Sequence, residues 1–105
     1  MNNTLGVIPA RLASSRFPNK PLRKILGIPM IAHCYFRAKY CKNIDHIVLA
    51  TPDKEIFEFG RNLKFDVCMT SNEHERATER AGEVVEIYKN KKKYFDNVIL
   101  IQGDE

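Results

Sequence analysis

The sequence of 105 residues predicts a single α/β domain in which helices cover a parallel β-sheet. Four short segments are apolar and rich in β-branched residues, and they show little period-2 alternation, which is typical of strands buried on both faces. Segments with helical periodicity lie between them, so each strand is joined to a parallel neighbour by a crossover. The four predicted strands are 5–9, 46–51, 66–69 and 97–102.

Three helices are predicted at 30–41, 53–63 and 77–88. The second helix begins after Pro52 with acidic residues in its first turn, which suits the positive end of the helix dipole. The first and third helices each carry one apolar stripe. The stripes comprise Ile31, Cys34, Tyr35 and Ala38 in the first, and Ala77, Ala81, Val84, Val85 and Tyr88 in the third.

The polar and unusual segments of the sequence follow predicted strands rather than helices. Segment 11–20 follows the first strand, segment 70–80 the third, and the residues "GDE" end the chain after the fourth. Parallel sheets bind ligands outside the carboxyl ends of their strands. We therefore expect a binding site at that edge. Because the chain ends directly after a strand, we also expect that it is the N-terminal part of a longer protein or that it relies on a partner.

Segment 11–20 has the composition of a phosphate-binding loop. It contains Arg11, Arg16 and Lys20, two prolines and no acidic residue. Arginine matches phosphate oxygens in bidentate fashion and lysine acts as a point charge. A solvated basic loop is the plainer reading, but the position after the first strand favours phosphate binding. The segment lacks the GxxxxGK[ST] pattern of a P-loop.

Two further segments could carry chemistry. Asp104, in "QGDE", could hold Mg²⁺ on a phosphate substrate, although Gly-Asp is also common in turns. In segment 70–80, a plainer interpretation is that Ser71 belongs to a loop and caps a helix and that Thr78 forms part of the first helical turn, without a binding role. Arg76 and Arg80 are four residues apart, so they would share one helix face and could add positive charge to the site.

Composition and motifs argue against several classes of protein. The net charge of +4 is a weak argument for a nucleic-acid partner, and no apolar run is long enough for a membrane span. The three cysteines have no metal-ligand spacing and fit buried thiols in a reducing compartment. No GxGxxG follows the first strand, which argues against a dinucleotide binder. A non-catalytic module that binds RNA or another polyanion remains an alternative, with steep salt dependence as its signature.

Several stretches together resemble the 3-deoxy-manno-octulosonate cytidylyltransferases, the CMP-Kdo synthetase family. They are "IPARLASSRFPNKPL", "GIPMIAHCYFRA", "VLATPD", "VCMTSNEHERATERAGEVV" and "VILIQGDE". The resemblance covers nearly all of the chain but only the first two-fifths or so of a family member. Where the family usually reads Gln-Ser-Gly after His74, this chain has Glu75, Arg76 and Ala77. A related enzyme for a sialic acid-like or amino-Kdo sugar is therefore a second interpretation.

The resemblance implies a Rossmann-like fold of the nucleotide-diphospho-sugar transferase type, with residues 1–105 as the N-terminal nucleotide-binding part of one cytidylyltransferase domain. It implies transfer of CMP from CTP to the acidic sugar Kdo, with Mg²⁺ as cofactor and release of pyrophosphate, in lipopolysaccharide or cell-surface polysaccharide biosynthesis. A cytoplasmic homodimer without nucleic-acid or membrane partners is expected, and residues 1–105 alone are expected to be inactive.

The resemblance also implies roles for individual residues. Arg11 and Lys20 are expected to be catalytic, and Asp104 is expected to be a metal ligand. The residues expected to bind the nucleotide are Pro9, Ala10, Arg11, Arg16, Lys20, Thr70, Ser71, Thr78, Arg80 and Gln102.

Overall fold

The computed structural model describes residues 3–11, 24–25, 28–71 and 77–101. A four-stranded parallel sheet forms the centre of the described part, in the order β5-β4-β1-β6. Helices alternate with these strands along the chain, so the predicted α/β class is confirmed. The strands of this sheet are β1 (Thr4–Pro9), β4 (His46–Thr51), β5 (Val67–Met69) and β6 (Asn97–Leu100).

Strand β1 lies between β4 and β6, and this register aligns the carboxyl ends of the three strands. Val7 is paired with Val48 on one side and with Leu100 on the other. Beyond the strands, the Ile101 amide donates to the Val7 carbonyl at 2.9 Å, which extends the pairing of β6 by one residue. Residues that follow β1 and β6 therefore start from the same edge of the sheet.

The helices are α1 (Met30–Lys39), α2 (Lys54–Asn62) and α3 (Ala77–Asn90). Alternate residues of β1 face opposite sides of the sheet, as the pleat of a strand requires. Ile8 packs in a cluster with α1 and α2, whereas Leu5 and Val7 pack in a second cluster with α3. Both faces are thus covered, which explains why the strands are apolar without alternating. No helix in the described residues is long and apolar enough to cross a membrane.

A short two-stranded antiparallel sheet precedes α1 and was not predicted. It pairs β2 (Lys24–Ile25) with β3 (Ile28–Pro29). Each strand has two residues, which is too short for any hydrophobic period to emerge in the sequence.

Strand β6 differs from the expectation of burial on both faces. Val98 and Ile99 are each 41% exposed. The reason is the position of β6, which lies at the edge of the described sheet and pairs only with β1 there. Boundaries shift by one or two residues elsewhere: α1 ends at Lys39, before the predicted residue 41, and α3 continues to Asn90.

The cysteines are free, and two of them fit the predicted buried thiols. Cys68 is buried and Cys34 is half-buried, and burial raises the pKa of both thiols. Cys41 is exposed, so the expectation of burial is wrong for this residue. Its exposure follows from the earlier end of α1, which leaves Cys41 in the turn after the helix.

Candidate functional site

The segments that follow β1 and β5 meet β4 at the carboxyl edge of the sheet. The amide of Ala10 donates to the Ala50 carbonyl at 2.9 Å, and the amide of Thr70 donates to the Thr51 carbonyl at the same distance. Each bond extends the sheet by one residue beyond a strand. Arg11 and Ser71 come directly after these two bonds, so the first described residues of two of the polar segments lie at the edge predicted from the sequence.

Arg80, on the second turn of α3, reaches back to the segment after β5. Its side chain is buried, and the residue is only 2% exposed. The Nη1 atom donates to the Thr70 hydroxyl oxygen at 2.6 Å and to the Ser71 carbonyl at 3.2 Å. A guanidinium carries several donors in a rigid fork, which allows one side chain to hold two acceptors.

Glu83 holds the same segment through a different atom. Its carboxylate Oε1 accepts a hydrogen bond from the Ser71 amide at 2.8 Å. Glu83 lies three residues after Arg80, so both side chains project from the same face of α3. The Ser71 peptide groups are consequently held on the N–H side by an anion and on the C=O side by a cation.

The Arg80 guanidinium lies among other charges. Burial lowers its pKa from the usual value, and the charge of Arg11 lowers the pKa further. Asp53 and Glu83 act in the opposite direction. The charges of Arg11 and Arg80 repel each other, and the carboxylates of Asp53 and Glu83 oppose that effect on the pKa of Arg80.

Asp53, which follows the end of β4, is one of these charges. The amide of Asp53 donates to the Thr51 hydroxyl at 3.0 Å, and Thr51 is fully buried. Asp53 also takes the N-cap position of α2, although its side chain makes no capping hydrogen bond. The turn that links β4 to α2 thus places a carboxylate at the edge of the sheet where Arg11 and Arg80 lie.

The described arrangement is suited to binding an anion. Arg11 provides positive charge and N–H donors at the carboxyl edge of a parallel sheet, and the buried Arg80 adds positive charge there. The described residues contain no group of three or more His, Cys, Asp or Glu side chains that could hold a metal ion.

Seven of the predicted site residues lie in the described part of the chain. Arg11, Thr70, Ser71 and Arg80 are brought together, and Ala10 is buried beside them. Thr78 lies in the first turn of α3 with an exposed side chain. Pro9 ends β1. Their roles stay predictions, and four residues lie outside the described residues: Arg16, Lys20, Gln102 and Asp104.

Sequence reasoning missed Asp53 and Glu83. A signal for Glu83 was present, since it follows Arg80 by three residues on a predicted helix. Asp53 follows a strand within "TPD", as do the other site residues, but its acidic character was explained by the start of a helix alone.

Comparison with known proteins shows which family the chain resembles. The family model described as cytidylyltransferase matches residues 5–105. The mitochondrial 3-deoxy-manno-octulosonate cytidylyltransferase of Arabidopsis thaliana is 50% identical over 104 residues, which cover 99% of this chain and 35% of the relative. The enzyme of the same name from Haemophilus influenzae strain 86-028NP is 44% identical over 101 residues, with 94% and 38% covered.

A solved structure is also similar. It is described as CMP:2-keto-3-deoxy-manno-octonic acid synthetase complexed with CTP, with a TM-score of 0.85 and 38% identity. The match covers 99% of this chain and 41% of that one. The chain thus spans between about a third and two-fifths of the length of these relatives. Since the family model matches nearly every residue, the chain belongs to the cytidylyltransferase family.

Proposed function

We propose that the protein is a nucleotidyltransferase that transfers CMP from CTP to the 3-deoxy-2-ulosonic acid Kdo and releases pyrophosphate. One observation carries the proposal: Arg11 and the Thr70–Ser71 segment both follow strand ends at the carboxyl edge of a parallel sheet, where the buried Arg80 holds Thr70 and Ser71 by hydrogen bonds. The relatives named above and the similar structure complexed with CTP support the choice of nucleotide and sugar.

In this proposal the cations bind and orient the triphosphate. Arg11 follows the central strand β1, and Arg16 and Lys20 follow on the same segment. The anomeric hydroxyl of the sugar attacks the α-phosphorus, the bond to the bridging oxygen of the β-phosphate breaks, and pyrophosphate leaves. Reactions of this kind depend on positioning and charge neutralisation rather than on covalent chemistry by the protein. Arg11 and Lys20 are the residues to which we assign that catalytic role.

The remaining contacts are proposed for the nucleoside. Pro9 and Ala10 lie at the end of β1, and Gln102, outside the described residues, follows the parallel neighbour β6 in the sequence. Segment 70–80 supplies Thr70, Ser71 and Thr78 on the other side of β4. Base and ribose would then lie across the ends of the strands.

The donor set fits magnesium in kind. Mg²⁺ in phosphate-transfer sites is held by one or two carboxylates, with phosphate oxygens and waters completing the shell. Asp104 follows β6 in the sequence and lies outside the described residues, and β6 is parallel to β1, the strand that Arg11 follows. We propose that Asp104 holds Mg²⁺, which when bound would neutralise phosphate charge.

A ligand-binding measurement tests the nucleotide assignment. For the protein as its gene encodes it, CTP with Mg²⁺ at about 100 times the dissociation constant should stabilise the fold by about 2.7 kcal/mol, and ATP should have much less effect. Arg11→Ala should weaken CTP binding, whereas Arg37→Ala, which removes an equal charge from the exposed side of α1, should not. Equal stabilisation by CTP and ATP, or none by either, would refute the proposal.

The sugar and the cellular setting belong to the same proposal. We propose Kdo as the acceptor, the cytoplasm as the location, a homodimer as the assembly, and lipopolysaccharide or cell-surface polysaccharide synthesis as the pathway. Turnover assays with Kdo, an amino-Kdo and a sialic acid would separate the sugars. Faster turnover with a sialic acid would assign the protein to the related cytidylyltransferases.

A further inference from the structure

We propose that Glu83 is a positioning residue for the nucleotide site, and that it works with Arg80 to hold the Thr70–Ser71 backbone from two sides. This inference rests on the proposed function, because it concerns the same site. It adds Glu83, which is not proposed to touch the nucleotide. It also assigns Arg80 to positioning rather than to direct contact with the nucleotide.

Four hydrogen bonds between described residues hold Thr70 and Ser71 in place, and we call the three that involve Glu83 and Arg80 the clamp. Glu83 accepts from the Ser71 amide at 2.8 Å, and Arg80 donates to the Ser71 carbonyl at 3.2 Å and to the Thr70 hydroxyl at 2.6 Å. The Thr70 amide is tied to the Thr51 carbonyl of β4 at 2.9 Å. Both peptide groups of Ser71 are therefore fixed by one helix, and Thr70 is fixed by that helix and the sheet together.

Burial indicates that Arg80 acts through this segment. The residue is 2% exposed, so it has little surface with which to meet a ligand. Thr70 is 7% exposed, and Ser71 is more exposed than either. Arg80 and Glu83 thus support the Thr70–Ser71 segment from α3, and that segment leaves the sheet at its carboxyl edge.

Fixing this segment in advance lowers the entropy lost when a ligand binds. A loop held in its binding conformation has less freedom to lose, and supporting hydrogen bonds keep contact groups in place. Hydrogen bonds to charged groups are also stronger than those between neutral groups. Removing the carboxylate of Glu83 should therefore weaken CTP binding by roughly tenfold to a hundredfold, without affecting the sugar site.

Three variants separate positioning from a general effect on the fold. Glu83→Ala removes the acceptor of the Ser71 amide, and Glu83→Gln keeps an oxygen that can accept the same bond. Glu86→Ala is the matched control, since Glu86 lies three residues further along α3 and is exposed. Each variant is made in the protein as its gene encodes it, and the KM for CTP, the KM for the sugar, kcat and the unfolding midpoint are measured.

The expected result is selective. Glu83→Ala raises the KM for CTP by tenfold or more and leaves the KM for the sugar unchanged, Glu83→Gln recovers most of the loss, and Glu86→Ala resembles the wild type. Amide hydrogen exchange should show that Ser71 loses protection in Glu83→Ala but not in Glu86→Ala. This second measurement needs no nucleotide, so it reports on the clamp itself.

The outcomes that overturn the inference differ from those that overturn the function. Wild-type CTP binding together with an unchanged KM for CTP in Glu83→Ala refutes the positioning role alone. A Glu83→Ala variant in which both KM values rise and the unfolding midpoint falls in parallel shows a general effect on the fold and also refutes it. A wild-type protein that does not bind CTP refutes the proposed function, whatever the exchange data show for Ser71.

Discussion

Gly60 occupies a position in α2 where a single methyl group should change the stability of the fold. The residue is buried, and a Cβ atom placed on it would lie 2.5 Å from Val67 Cγ2 and 3.1 Å from Leu49 Cδ2. Real Cβ atoms do not approach other atoms as closely as 2.5 Å, so the Val67 side chain, β5 or α2 must shift to accommodate alanine. Leu49 is fully buried, so any movement of its side chain must be accommodated within the core.

Two opposing effects determine the magnitude of the Gly60→Ala change. Alanine is favoured over glycine in a helix interior by about 1 kcal/mol. Overpacking a filled core costs about 1–3 kcal/mol. The close contact is with Val67, whose β-branched side chain has few alternative rotamers, so the steric effect should be the larger. We expect Gly60→Ala to lower the free energy of unfolding by about 1 kcal/mol.

Urea unfolding followed by circular dichroism tests this reasoning in the protein as its gene encodes it. Gly82→Ala is the matched control, because Gly82 is exposed in α3 and an added Cβ meets no atom within 4 Å. It should gain about 1 kcal/mol. In a Val67→Ala background, Gly60→Ala should become stabilising, because the nearest atom has been removed. Equal stabilisation by the two glycine substitutions in the wild-type background would refute the steric argument.

Two further predictions concern the opposite, amino-terminal edge of the sheet. Burial lowers the pKa of His46 below its usual 6.5, so the folded state binds fewer protons than the unfolded state and stability should fall as the pH drops below about 6.5. The free energy of unfolding should change by no more than about 1.4 kcal/mol per pH unit through this group. The difference between the free energies of unfolding at pH 7.5 and 5.5 should be smaller for His46→Gln than for the wild type. An equal difference would contradict this. Asp45→Ala should cost about 1–3 kcal/mol, because Asp45 Oδ2 accepts from the buried Thr4 amide at 2.7 Å. Asp45→Asn keeps an acceptor and should lose less in the same unfolding assay, whereas equal losses would show that this bond contributes little.

The sheet and its helices could be predicted because their signals are local. The strand His46–Thr51 has the predicted bounds, and α2 begins and ends within one residue of the prediction. The exposure of β6 could not be predicted in this way, since an apolar strand looks the same in the centre of a sheet as at its edge. Only the strand order, which depends on contacts distant in sequence, distinguishes the two positions.

The candidate site was predictable in position but not in its internal contacts. The rule that parallel sheets bind ligands at their carboxyl edge placed Arg11, Thr70 and Ser71 at the same edge, as the structure does. The sequence also placed Arg80 on a helix face, but a charged residue on a helix is usually solvated. Its burial depends on how α3 lies against the segment after β5, and that packing is a tertiary property.

The two edges of the sheet show why a perturbed pKa does not by itself identify a functional group. His46, at the amino-terminal end of β4, has a lowered pKa and lies 3.2 Å from the Tyr88 hydroxyl and 3.4 Å from Asp66. Its ring also packs against Tyr88 and Phe95, and burial raises the pKa of Tyr88. Taken alone, such shifts would indicate a catalytic pair.

Position in the sheet argues against that interpretation of His46. Ligands of parallel sheets bind at the carboxyl ends, where Arg11 and Arg80 lie, and His46 is at the other end of its strand. Its contacts join β4 to the end of α3 and to the segment before β6, which is a structural role. If this reasoning is correct, His46→Gln should alter the pH dependence of unfolding while leaving the KM for CTP unchanged, and Glu83→Ala should have the opposite pattern.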